Sequence, residues 1–238
     1  MHLTKEYVDL QVRFVKKLCE IDKAPFDLYF MIYADAPNML RMDFKIWHPN
    51  LPDFREFSNL LVNSTDYTTT IYDFAIKKLG EIPRDPFKSP YGFFYRNILK
   101  SAFILEMHTQ YDEPILGIHP LDHRRFEETK GNLYTMMKEA KEKFPNLTWV
   151  TGNSWLYNIE AYRRLFPKEY LDTGKFNTHS FHGLGLWGQF LNKGLQIKKD
   201  VAEEFYKKLD VAQTFEQAME AFPYMVIGLK APIDCFLK

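Results

Sequence analysis

Apolar positions recur at helical spacing through Tyr7, Leu10, Phe14 and Leu18, which predicts an amphipathic helix from about Thr4 to Glu20, capped by Thr4 and with lysines near its end. The pattern then changes. Phe26 to Tyr33 is dense in aromatic and β-favouring side chains, and Met39 to Trp47 alternates Leu40, Met42, Phe44 and Ile46 with Arg41, Asp43 and Lys45. Joined through 34–38, these runs predict an antiparallel hairpin. Beyond the His48-Pro49 break, Asp53 starts a short helix and Asp66 caps another that ends at Gly80. Ile82 to Pro90 holds three prolines and no period, and reads as a surface loop or a linker.

From Tyr91 onward the pattern predicts strands at Ala102–His108 and Pro114–His119, then a long helix from Asp122 to Phe144 with Phe126, Leu133, Met137 and Ala140 at core spacing. A strand at 147–151 and a helix from Ser154 to Phe166 follow, then helices at Gly185–Leu191 and Asp200–Leu209 and a late strand at Tyr224–Leu229. The expected class is α/β in the wider α+β sense, with a mixed sheet flanked by helices. The chain reads as one domain, 1–238. A subdivision into a helix and hairpin unit at 1–81 and a sheet-bearing core at 91–238 is the alternative.

Composition narrows the function. Thirty-one basic residues balance thirty-one acidic ones, so the field that holds a nucleic-acid backbone or an anionic membrane is absent, and a small-molecule substrate is the expected partner. No apolar run reaches the roughly 18 residues of a membrane span. The first residues, Met1 to Glu6, carry charge where a leader peptide needs an apolar core, and only two cysteines, Cys19 and Cys235, occur; both observations predict a cytoplasmic protein with free thiols.

Chemistry-bearing residues gather in three places. Glu106 and His108 are two apart on a predicted strand and His119 ends the next one, so the three could serve as base, proton carrier and polarising group, or hold a divalent metal. The alternative is a solvated strand face, and no spacing matches an established metal-ligand set. Asn153, Ser154 and Trp155 follow the predicted strand at 147–151, and His182, Gly183, Gly185 and Trp187 form a second cluster. Together these could build a pocket in which glycines admit a ligand to the backbone and Trp155 and Trp187 cover its apolar surface. Equally, Ser154 is a helix cap and the glycines are turn residues that seat Trp187 in the core. Gly183-x-Gly185-x-x-Gly188 matches a dinucleotide fingerprint in letters only, because no apolar strand precedes it.

The strand and helix order, with Leu116-Gly117-Ile118-His119, an acidic-led helix, Ser154-Trp155-Leu156 and then Asn158 to Phe166, resembles the second half of the GNAT fold of N-acetyltransferases. It resembles in particular the C-terminal domain of bacterial acyltransferase-like proteins, over about 115–167. The resemblance implies a mixed sheet with a splayed strand pair, acyl-CoA held at a helix N-terminus and acyl transfer to an amine. In that reading Glu106 or His119 deprotonates the acceptor. The family's glycine-bearing pyrophosphate loop corresponds to Pro120 to Arg125, which has no glycine. The tyrosine that protonates the leaving thiolate falls on Leu165, with Tyr162 a turn earlier. Two other functions stay open: a non-catalytic binding protein with a tryptophan-lined apolar pocket, and a metal-dependent enzyme using Glu106, His108 and His119.

Overall fold

The computed structural model describes residues 3–39, 52–81, 88–89, 92–94, 103–110, 113–120, 129–177, 184–192 and 194–238. In chain order the helices α1 Lys5–Asp22, α2 Phe26–Tyr33, α3 Asp35–Met39, α4 Pro52–Val62 and α5 Tyr67–Glu81 come first. Strands β1 Lys88–Ser89, β2 Gly92–Phe94, β3 Phe103–Gln110 and β4 Glu113–Pro120 follow, then α6 Thr129–Lys143 and β5 Trp149–Ser154. After these come α7 Glu160–Arg163, α8 Lys168–Leu171, β6 Lys175–Phe176, α9 Leu184–Trp187, α10 Lys199–Val211, α11 Phe215–Met219 and β7 Ile227–Pro232. The chain forms two compact units, one of 1–83 with 181–225 and one of 84–180 with 226–238. Segment 181–225 thus belongs with the N-terminal helices, whereas the sequence subdivision grouped it with the sheet.

In the helical unit, α1 is the central element. Thr4 caps it by accepting a hydrogen bond from the Tyr7 N–H at 3.2 Å, and Tyr7, Leu10, Phe14 and Leu18 are all fully buried as the spacing predicts. Phe14 meets Trp187 at 5.7 Å and Phe222 at 5.0 Å between ring centroids, and Phe205 stands 4.9 Å from Phe190. This aromatic cluster fastens the 181–225 segment to α1. Residues 26–33 are a helix, not the first strand of a hairpin. Phe26 stacks on Phe30 and Tyr29 packs edge-on against Tyr33, so aromatic pairs one helical turn apart use the side chains that suggested a strand. The partner strand at Met39–Trp47 lies almost wholly outside the described residues, and Met39 ends α3.

A buried polar knot joins α1 to α3. The Gln11 side-chain oxygen accepts from the Asp35 and Ala36 N–H groups at 2.8 and 2.9 Å, its amide nitrogen donates to the Tyr7 carbonyl, and the Tyr7 hydroxyl donates to Asp35 Oδ2 at 2.7 Å. Burial, followed by the Asp35 charge, holds the Tyr7 phenol well above its ordinary pKa.

Among the described residues the second unit carries a seven-stranded mixed sheet in the order β1-β2-β3-β4-β5-β7-β6. The α+β class therefore holds. β4 and β5 are parallel and joined through α6, while the other neighbours run antiparallel. The last strand, β7, is inserted between β5 and β6. The predicted helix at Ser154–Phe166 is split into a 3-10 turn, Trp155–Asn158, and α7, because Ile159 between them is extended. Among the described residues no helix is long and apolar enough to cross a membrane.

Replacing Gln11 with Ala strands two buried N–H donors at the start of α3 and is expected to lower unfolding free energy by about 2–4 kcal/mol. Urea denaturation checks this; a loss below about 0.5 kcal/mol would mean that the knot does not hold α3.

Candidate functional site

Two neighbouring parallel strands of the sheet stop pairing before their C-terminal ends. β4 and β5 pair through Ile115↔Trp149, Leu116↔Val150, Gly117↔Thr151 and Ile118↔Gly152, and their pairing ends there, although β4 runs on to Pro120 and β5 to Ser154. Beyond that point β4 stays with β3 and β5 with β7. Pro120 has no N–H to offer a ladder, which suits a strand end. Two parallel strands parting at their C-terminal ends leave backbone groups open to a ligand, at a place where open sheets commonly bind one. His119 and Pro120 border the opening on β4, and Asn153 and Ser154 on β5.

The buried face of β5 explains why Gly152 is a glycine. A Cβ there would collide with the Tyr157 hydroxyl and lie 2.6 Å from that of Tyr170, and the two hydroxyls are hydrogen-bonded at 3.2 Å. Tyr157 also packs against Tyr162 and Phe166, each 5.2 Å away between centroids. Burial is the first cause that lifts the phenols of Tyr157, Tyr162 and Tyr170 above their ordinary pKa, so all three are neutral at physiological pH. Tyr162, the expected proton donor, has 0% exposure and belongs to this core.

The other expected site residues are spread out. On the β3–β4 hairpin Glu106 pairs with Gly117 and His108 with Ile115, so they lie two and four register steps from His119. At about 3.4 Å per residue that is ~7 and ~14 Å along the strands, so only Glu106 shares His119's end of the hairpin. Ser154 is 3% exposed and accepts a hydrogen bond from the Leu156 N–H at 3.1 Å, the capping role. Trp155 packs half-buried against the sheet unit's core, and Asn153 is exposed. Trp187 has 0% exposure, and its indole N–H donates to the Tyr33 carbonyl at 3.1 Å within the helical unit. The two tryptophans thus fill the cores of different units, and neither unit contains the pocket expected to hold both. Gly185 lies in α9, a single turn of helix; His182 and Gly183 lie outside the described residues. Among the described residues no group of three or more His, Cys, Asp or Glu side chains could hold a metal ion. Burial pushes the thiols of Cys19 and Cys235 up to about 11, so both are protonated at neutral pH.

Sequence reasoning missed the other face of β5. Thr151, Asn153, Thr173, Lys175, Gly228 and Lys230 line a cavity of about 410 Å³. Apart from Thr173, which precedes β6, its residues come from three strands whose adjacency depends on the insertion of β7, and the strands predicted at 147–151 and Tyr224–Leu229 carried no signal that they would become neighbours. Compared with protein-family models, with curated proteins and with solved structures, the chain matches none.

Gly152→Ala is expected to drive apart the Tyr157 and Tyr170 hydroxyls and cost about 1–3 kcal/mol, measured by urea unfolding. An unchanged midpoint would show that the tyrosines move aside freely.

The tyrosines also set a pH dependence. Their folded pKa values are raised, so their contribution is complete below the ordinary tyrosine pKa and is lost as pH rises above it. Unfolding free energy should therefore fall above about pH 10, by about 1.4 kcal/mol per pH unit for each buried phenol. Tyr162→Phe should flatten that slope by one phenol's share; equal slopes for variant and wild type would place Tyr162 in contact with water.

Proposed function

We propose that the chain is an acyl-CoA-dependent N-acyltransferase with a GNAT-like core. One observation carries the reading: the parallel pair β4 and β5, joined through α6, parts at its C-terminal ends inside a mixed sheet. A parallel pair that parts in this way is what the resemblance implies, and α6 is the next helix after β4 among the described residues. Physically, the parted edges can take an extended acyl-pantetheine arm as an added strand, because its amides match the backbone groups that the strands no longer share. The donor supplies a thioester carbonyl for attack by an amine.

The amine must lose a proton in the attack, and His119 stands at the strand end where the opening begins. An imidazole is the side chain suited to accept that proton at neutral pH. Glu106, two register steps back, is the second candidate. Tyr162 is enclosed in the core, so the leaving thiolate takes its proton from water. The glycine-free stretch from Pro120 to Arg125 marks a donor grip different from the family loop.

Acetyl-CoA titrated into the whole protein should raise its melting temperature, with stabilisation of about 2.7 kcal/mol at 100 times the dissociation constant. His119→Ala should leave acetyl-CoA affinity within about twofold while lowering amine-dependent release of CoA thiol by about 10²-fold or more. No binding of acetyl-CoA at millimolar concentration would overturn the proposal. Binding without turnover on any amine would make the chain a binding protein.

A further inference from the structure

We propose that the cavity on the open face of β5, β7 and β6 receives an anionic group, a carboxylate or a phosphate, carried by the amine substrate. Thr151 pairs with Lys230, and Asn153 pairs with Gly228, which in turn pairs with Lys175. Paired residues in antiparallel strands share a face, so these side chains point the same way. Among the described residues two lysines line the cavity and no carboxylate does. Asp172, the acidic residue next in the chain to Thr173, is paired with Lys168.

Lys230, Thr173 and Asn153 are held in place. The Lys230 ammonium sits over the Trp149 ring, 4.9 Å from its centroid, and the Lys230 N–H donates to Thr173 Oγ1 at 3.2 Å. Asn177 Nδ2 donates to Asn153 Oδ1 at 2.8 Å, which leaves the Asn153 amide nitrogen to donate to a ligand. Gly228 makes this arrangement possible, since a Cβ there would lie 2.7 Å from Asn153 Oδ1. Two ammonium groups, an amide nitrogen and the Thr151 hydroxyl are the donor set an oxyanion needs. Asn153 lies one residue beyond the last β4–β5 pair, so the cavity borders the opening. An amine anchored here by its anionic group presents its nitrogen at the parted strands; that assignment rests on the acyltransferase reading, whereas the anion site itself does not.

The test titrates three amines into the whole protein by calorimetry: O-phosphoethanolamine, β-alanine and ethanolamine. Wild type should bind at least one of the first two at least tenfold more tightly than ethanolamine, with affinity that falls as salt rises, and the preferred one names the anion. Lys175→Ala with Lys230→Ala should weaken that binding at least tenfold, and Lys175→Ala alone by a smaller factor, with CoA affinity unchanged within twofold. Equal affinities for all three amines, or an unaffected double variant, would overturn the proposal. So would displacement of the anionic amine by CoA, which would assign the lysines to the donor. Anionic amine bound by a protein that does not bind CoA would support the anion site and remove the acyltransferase reading.

Discussion

At Gly152 three demands meet in one residue. On its buried side the Tyr157 and Tyr170 hydroxyls occupy the space that any side chain would need. Along the strand it makes the last pair with β4, and on its other edge it pairs with Leu229 of β7. A strand that must admit two phenolic hydroxyls to its backbone can do so only where Cβ is missing. The position of that glycine thus fixes how the aromatic core meets the sheet at the level where the sheet opens. The residues after it, Asn153 and Ser154, face the consequences separately: one lies on the open face beside the lysines, the other turns inward to cap the next turn.

In the proposed reading, the buried tyrosines and the opening divide the work between stability and ligand access. The hydroxyl pair is internal, neutral and closed to water, so it stiffens the β5 side of the sheet without offering a proton. In the proposed reading, chemistry falls to the strand end itself, with His119 on β4 and the polar face of β5. Such a division is physically sensible, because a rigid support holds loosely bordered backbone in a usable geometry. The lysine-lined cavity extends the same surface, and its form depends on β7 lying between β5 and β6.

Much of the architecture was legible. Thr4 with the Tyr7, Leu10, Phe14 and Leu18 stripe, Asp66 as a cap and the Leu116 to His119 strand all carry local signals that the structure uses as written. Phe26 to Tyr33 misled because a short apolar aromatic run has no decisive period, and packing against α1 settled it as a helix. The tryptophan pocket misled for a different reason. Glycine and tryptophan mark close packing as well as ligand sites, and Trp187 uses its ring to fill the helical core. The lysine cavity was illegible because no local pattern reports which strands become neighbours.

The most direct measurement of the central claim is a nitrogen-15 NMR titration of the protein with acetyl-CoA. The account predicts that the largest backbone amide changes fall at Ile118, His119, Gly152 and Asn153, with the amides of Phe14 and Phe205 in the helical core unmoved. Saturable changes centred elsewhere, with those strand-end amides silent, would contradict it.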